Sequence, residues 1–284
     1  MTAEALARDI ARELRSRGYE AWLVGGCVRD LLLRMPPKDY DVATSATPEQ
    51  VLDVWPDALQ VGAHFGVVLV RRHDAQVEVA TFRSEGAYRD GRRPSHVRFE
   101  TDPREDVLRR DFTINALLMD PESGEVLDLV DGRQDLERGI IRAIGKPEDR
   151  FREDHLRMLR AIRFSARLNF ELDPNTEAAI ALLYPLLADV SAERVRDELI
   201  RILTEGGARR GLELLDRTAL LPAILPEVAA MKGVQQPAEY HPEGDVWTHT
   251  LIMLQSLPAG IPPTLALGVL LHDVGKPGTF RVAD

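Results

Sequence analysis

The stretch 25-GGCVRDLLLRMPPKDYDVAT-44 carries a glycine pair, a short apolar run and two aspartates, Asp39 and Asp41, one residue apart. The residues before it, 21-AWLV-24, read as a strand ending at Gly25-Gly26, and Val28 to Arg34 reads as a short helix. Asp39 to Ala43 reads as a second strand. Residues i and i+2 of a strand share a face, so this spacing sets two carboxylates side by side. Such a pair repels itself unless a cation lies between. Mg²⁺ suits it, since that ion takes hard oxygen ligands, usually one or two carboxylates plus substrate phosphates. The next clear strand, 76-QVEVATF-82, puts Glu78 on the face opposite Val77 and Val79, a third carboxylate if the strands are neighbours. Glycines at a strand-to-helix junction let a backbone approach a polyphosphate, and the N-terminus of the helix favours an anion. Arg29, in the first turn, adds a cation for the same anion.

The bulk properties set bounds. The chain has 284 residues, of which 44% are hydrophobic and 29% charged; this suits one large soluble domain or two smaller ones. The N-terminal MTAEALARDIARELRSRG carries charges throughout and does not read as a signal peptide. The apolar run 257-LPAGIPPTLALGVLL-271 holds three prolines and is too short to span a bilayer, so no membrane segment is expected. A single cysteine, Cys27, excludes a disulfide framework and points to a reducing cytoplasm. The formal charge of -10 excludes a surface coated in basic residues. A nucleic-acid partner needs only a local basic patch.

Residues 3–17 read as an amphipathic helix with Leu6, Ile10 and Leu14 on one stripe. The segment 47-TPEQVLDVW-55 opens a helix, with Thr47 as N-cap, Pro48 at the first position and Gln50 closing a capping box. A further strand is expected over 67–71, and 83-RSEGAYRDGRRPSHV-97 reads as a mobile basic loop. The run 106-DVLRRDFTINALLMD-120 looks helical. Beyond about Glu148 nearly everything reads as helix, over 148–168, 174–188, 191–205, 206–217, 246–257 and 264–272. A mixed α and β first half followed by an all-α second half makes the chain α+β.

The block LVGGCVRDLLLRMPPKDYDVAT closely resembles the head motif of class II tRNA nucleotidyltransferases, the CCA-adding enzymes, and of the related bacterial poly(A) polymerases. Further segments are similar to later motifs of that family in the same order: 109-RRDFTINALLMD-120 to its ribose-recognition motif, 131-DGRQDLERGIIRAIG-145 to its hinge, 152-REDHLRMLRAIRFSARLNF-170 to its nucleotide-selecting motif, and 191-SAERVRDEL-199 to the helix that buttresses it. The resemblance covers roughly residues 18 to 205. It implies a polymerase-β-like head with a mixed sheet over residues 1–145, a helical neck and body that selects the nucleotide and binds RNA over 146–235, and the start of a truncated HD-like helical domain over 236–284. It also implies Mg²⁺ at Asp39 and Asp41, with Glu78 a third catalytic carboxylate, CTP and ATP as donors, and the tRNA 3′ end as acceptor. Gly25, Gly26, Arg29, Arg110, Asp111 and Asn115 would then hold the nucleotide's phosphates and ribose.

On a helical wheel of 148–168, Met158, Leu159, Ile162 and Ala166 form an apolar stripe, and Asp154, Arg157, Arg160 and Arg167 the other half, with Arg163 at the stripe's edge. A solvated charged face is the bland reading of such a helix. The resemblance instead makes Asp154 and Arg157 the reader of the base. An ionised Asp154 only accepts hydrogen bonds and Arg157 only donates. Cytosine and adenine each offer an amino donor beside a ring acceptor and fit that pair. Uracil and guanine set a carbonyl against the carboxylate, and an unpaired buried acceptor costs ~1–3 kcal/mol. The resemblance assigns Arg160 and Arg163 to the nucleotide or its phosphates, and the wheel favours Arg160. Arg83, Arg89, Arg92 and Arg93 fall in the loop that the family uses in switching from C to A. His64 and His96 need no special role.

The tail carries a second signature. The segments 241-HPEGDVWTHT-250 and 271-LHDVGKP-277 resemble an HD domain, whose metal ligands would be His249, His272 and Asp273. That family needs a later aspartate, which does not appear before Asp284, so the expectation is a site incomplete in this chain. Four functions stay open: CCA or CC addition, A-only addition or poly(A) addition by the same head, an HD-type metal phosphohydrolase, and a catalytically silent RNA-binding module. The D-x-D argues against silence, and the missing aspartate argues against the hydrolase.

Overall fold

The structure is a computed structural model, and it describes residues 1–61, 66–86, 88, 91, 94–237 and 239–279. The chain forms two units, Met1–Arg138 with Arg142–Lys146, and Gly139–Ile141 with Pro147–Asp284.

The first unit opens with α1 (Ala3–Ser16), started by Thr2, whose hydroxyl accepts the Ala5 amide at 3.1 Å. Leu6, Ile10 and Leu14 are buried along it, each contributing about 1.5–3 kcal/mol of apolar transfer. Then come β1 (Ala21–Val24), α2 (Gly26–Leu32), β2 (Asp41–Thr44), α3 (Pro48–Val54), β3 (Leu59–Gln60), β4 (Val67–Arg72) and β5 (Ala75–Thr81). The capping box of α3 forms as read, with the Thr47 amide donating to the Gln50 side chain at 2.8 Å and the Gln50 amide to the Thr47 hydroxyl at 3.4 Å. The unit continues through β6 (Arg83–Glu85), β7 (Val97–Phe99), α4 (Pro103–Leu108), β8 (Leu118–Met119), β9 (Val126–Leu127) and α5 (Gly132–Arg138). Among the described residues the main sheet runs β3-β4-β5-β2-β1-β8-β9. Its β2–β5 pair is parallel and the other neighbours are antiparallel. One core beneath it holds Val24, Ala43, Phe82, Val107, Ala116, Leu118 and Ile144.

The second unit has a short parallel ribbon, β10 (Ile140–Ile141) with β11 (Glu171–Leu172), and is otherwise helical. Its helices are α6 (Pro147–Glu153), α7 (Arg157–Leu168), α8 (Pro174–Leu183), α9 (Ala192–Thr204), α10 (Ala208–Arg217), α11 (Leu220–Ile224), α12 (Pro226–Ala229), α13 (Val246–Gln255), α14 (Pro263–Leu271) and α15 (Lys276–Thr279). Met158, Leu159, Ile162 and Ala166 bury the inner face of α7, which packs on α9 and α10. No helix among the described residues is long and apolar enough to cross a membrane. The chain is thus α+β, a mixed sheet with its helices followed by a helical region.

Four local readings are corrected. The strand begins at Asp41, so Asp39 stands in the extended approach to it and is exposed. The run 106–120 is not one helix. The Asp111 carboxylate accepts its neighbour's amide, Phe112 N–H, at 2.8 Å, and Phe112 is extended. Such local side-chain bonds compete with helix, and the sheet then captures Leu118 and Met119 as β8. The helix 148–168 breaks at 154–156, where the Asp154 carboxylate accepts the Leu156 amide at 3.2 Å. Finally, 83–97 is not wholly loop. Its ends pair as β6 and β7, with a bridge from Tyr88 to Pro94. His64, Arg89, Arg92 and Arg93 lie outside the described residues.

Candidate active site

The parallel register of β2 against β5 makes Asp41 and Glu78 direct partners across the sheet, about 4.8 Å apart in backbone spacing. On the other side of β2, Asp41 faces Val24, the last residue of β1. Glu78 and Asp39 both lie near enough to act on the Asp41 carboxyl. Burial first, then Glu78 and Asp39, push Asp41 up from its ordinary 3.8 to about 6, while Arg110 pulls it back. Carboxylate oxygens with excess negative charge are the donor chemistry that a hard divalent cation takes, although the ligand atoms of Asp39, Asp41 and Glu78 do not all lie within 4.8 Å of one another.

Gly25 caps α2 with φ +79°, a conformation that favours glycine. A Cβ there would lie 3.5 Å from Arg110 Nη1 and 3.9 Å from Asp41 Oδ2. The bare backbone at this junction therefore stands against both the carboxylate cluster and a guanidinium. Arg110 is held by the buried Asp106, to which its Nε and Nη2 donate at 3.2 and 2.9 Å, and its Nη1 reaches the Asn115 carbonyl at 3.4 Å. Asp106 also accepts from Arg109 at 2.6 and 2.9 Å. Burial alone would raise the Asp106 carboxyl, but Arg110 and Arg109 outweigh it and hold it below the usual range. Arg109 reaches on to Glu85 at the base of the β6–β7 ribbon, which Arg83 and the Tyr88 hydroxyl also engage. A chain of charge thus runs from the ribbon through Arg109, Asp106 and Arg110 to Asp41.

Arg29 is 3% exposed, bound to Asp30 at 2.6 Å and to Asn115 Oδ1 at 2.6 Å, contacts that fix Asn115. Asn115 in turn donates to Asp111 Oδ1 at 3.3 Å. Gly26 sits over Arg29, with an added Cβ 3.6 Å from Nη2. Cys27 beside them is inert, because burial above all pushes its thiol up to about 11.

In the second unit, Asp154 and Arg157 flank the break between α6 and α7. They are not joined as the wheel required. Arg194 on α9 donates to Asp154 at 3.2 Å, and Arg157 donates to Glu153 at 2.6 Å. Arg160 lies over the Phe164 ring at 5.7 Å. Arg163 is buried and donates to Glu198 on α9 at 2.7 Å. It pairs α7 with α9. In the tail, His249, His272 and Asp273 do come together, their ligand atoms within 4.8 Å of one another. Sequence reasoning missed Asp106, Glu85, Glu153 and Arg194. Asp106 was legible from its i, i+3 and i+4 spacing to Arg109 and Arg110, whereas the others meet their partners only through tertiary contacts or the broken helix.

Residues 21–142 match the poly A polymerase head domain, and residues 169–232 match the probable RNA and SrmB-binding site of polymerase A. The chain is 42% identical over 256 residues to the CCA-adding enzyme of Enterococcus faecalis, covering 88% of this chain and 62% of that protein. It is 47% identical over 223 residues to the CCA-adding enzyme of Geobacillus stearothermophilus, covering 78% of this chain and 55% of that protein. The crystal structure of the Bacillus stearothermophilus CCA-adding enzyme in complex with CTP superposes with a TM-score of 0.74 at 36% identity, over 97% of this chain and 71% of that one. The chain therefore spans somewhat less than two thirds of the curated relatives' length. With fold, motif order and identity in agreement, the chain belongs to the CCA-adding enzyme family.

Proposed function

We propose that this chain is a template-independent nucleotidyltransferase that adds C, A or both to the 3′ end of tRNA from CTP and ATP. The observation that carries the reading is the Asp41–Glu78 register beside Gly25 and Arg110. The names of the relatives support it, as does the CTP bound to the Bacillus stearothermophilus enzyme. In this reading Asp39, Asp41 and Glu78 hold a divalent metal, Mg²⁺ by preference for hard oxygens. Bound there, it supplies charge neutralisation and a more acidic 3′-hydroxyl. That hydroxyl displaces pyrophosphate from the α-phosphorus in line. Arg110 is oriented by Asp106 toward the triphosphate, and Gly25 leaves room for it. Asp111 and Asn115 turn their mutual bond toward the ribose. A cytoplasmic setting accords with the lone buried thiol.

Base choice falls to Asp154 and Arg157. Arg194 and Glu153 hold these side chains in place until an incoming base exchanges with them. Asp154 takes the amino proton of cytosine or adenine, and Arg157 donates to the ring. A base that sets a carbonyl against Asp154 loses ~1–3 kcal/mol. The match to a poly A polymerase head favours, as a second reading, A-tailing of other RNA.

The test offers tRNAs ending before the first C, after CC and after A, each with labelled CTP, ATP, UTP or GTP. Stepwise C and A incorporation without U or G is expected. Long A tails on unrelated RNA would replace the reading with the polymerase. Arg157→Ala should admit U and G, and unchanged selectivity would remove the base-reading role.

A further inference from the structure

Asp39 and Asp41 come from one short stretch of backbone, and only the second of them belongs to the sheet. β2 begins at Asp41, so Asp39 and Tyr40 lie ahead of the ladder. Successive side chains of an extended chain point to opposite faces. Tyr40, between the two aspartates, is turned inward at 8% exposure while Asp39 is exposed. Whatever fixes the Tyr40 side chain therefore fixes the direction of the carboxylates on either side of it.

The polar end of that side chain is held from α1. The Tyr40 hydroxyl donates to Glu4 Oε2 at 3.2 Å. The other oxygen of the same carboxylate, Oε1, accepts from Arg8 Nε at 3.0 Å and lies 2.9 Å from Arg8 Nη2. Arg8 Nη1 in turn donates to the Pro121 carbonyl. Glu4 thus gives one oxygen to its own helix and one to the D-x-D segment. α1 is a firm base for this contact. Leu6, Ile10 and Leu14 bury its inner face. Two more of its arginines grip the turn after β8, Arg15 Nη1 donating to Asp120 Oδ2 at 2.6 Å and Arg12 Nε to Glu122 Oε1 at 3.2 Å. Packing alone accounts for the buried ring; the hydroxyl bonded to a carboxylate is the added feature. Its value lies in preorganisation. Like charges repel, and ligands free to spread apart must be drawn back when a cation binds, which weakens binding.

We propose that Glu4 and Tyr40 are positioning residues for nucleotidyl transfer, the α1 carboxylate holding the backbone between Asp39 and Asp41 through the Tyr40 hydroxyl, a role that rests on reading those aspartates as metal ligands.

The test compares Tyr40→Phe, Glu4→Ala and the double variant in the full chain, with Asp41→Asn as the control for the reading beneath. Tyr40→Phe keeps the ring and deletes one oxygen. Misplacing reacting groups by about 1 Å costs about 100-fold, so loss of one restraint should lower kcat for CMP addition to tRNA about 10-fold, with KM for CTP within about twofold of the parent. The double variant should be no slower than the slower single, because both delete the same link. In the metal-free protein, ¹⁵N relaxation should give order parameters of about 0.85 at residues 39–41 in the parent and lower values in each variant, with β5 unchanged. That readout needs no turnover. Circular dichroism checks folding, and Tyr40→Phe alone carries the test if Glu4→Ala does not fold. A parent-like kcat in Tyr40→Phe beside an inactive Asp41→Asn would overturn the positioning role and leave the metal reading standing. Parent-like transfer by Asp41→Asn would overturn the metal reading, and the role with it. Order parameters unmoved by Tyr40→Phe, or single losses that multiply in the double variant, would likewise overturn the proposal.

Discussion

Asp41→Asn is predicted to stabilise the metal-free protein while it removes a carboxylate of the proposed metal site. The folded protein holds the Asp41 carboxyl at about 6 against an ordinary 3.8, through burial and the neighbouring Glu78 and Asp39. At about 1.4 kcal/mol per pH unit this is a penalty of up to about 3 kcal/mol. Because the folded pKa is raised, the folded state binds the proton more tightly than the unfolded state between about 4 and 6. Stability falls as pH rises through that window, and the full penalty is present above it. Urea unfolding in EDTA should therefore find Asp41→Asn more stable than the parent by up to about 3 kcal/mol at pH 8, with the difference closing toward pH 4. Saturating Mg²⁺ should stabilise the parent, by about 2.7 kcal/mol at a hundredfold excess over Kd, and leave the variant nearly unmoved. A variant less stable than the parent at pH 8, or a difference independent of pH, would refute the reasoning that the carboxylates are held together against their own repulsion.

Other outcomes follow from neighbouring contacts. Asp106→Asn removes the charge that Arg110 and Arg109 share; with charged hydrogen bonds contributing about 1.5–3 kcal/mol, transfer should fall about 10- to 150-fold, measured as kcat/KM for CTP and ATP. Arg163→Ala leaves the buried Glu198 with only Arg201, at 3.9 Å, as a partner, costing up to about 3–5 kcal/mol in urea unfolding with base selectivity intact; altered selectivity at unchanged stability would place Arg163 at the nucleotide. Cys27, buried and pushed up to about 11, should resist iodoacetamide at pH 8 until urea unfolds the head; rapid labelling of the native protein would contradict its burial.

The sequence was most informative where local chemistry decides conformation. The Thr47–Gln50 capping box, the Leu6, Ile10 and Leu14 stripe and the glycine junction each declare themselves within a few residues, and each formed. Three signals misled. Periodicity read 106–120 and 148–168 as continuous helices, but Asp111 and Asp154 bond the backbone just beyond them and break the pattern. At Arg29 residue type did not reveal burial; the approach of Asn115, 86 residues on, turns it inward. The wheel set Arg163 at the edge of the stripe, and α9 decided its fate by supplying Glu198. The neighbouring of Asp41 and Glu78 required the parallel β2–β5 pairing, which no local pattern encodes.

The most direct measurement follows a tRNA lacking its three terminal nucleotides, incubated with CTP, ATP and Mg²⁺, by denaturing gel. The parent chain should lengthen the tRNA, and Asp41→Asn, folded and at least as stable, should not. A parent that leaves the tRNA unextended, or an Asp41→Asn variant that extends it at the parent's rate, would contradict the assignment of nucleotidyl transfer to this carboxylate centre.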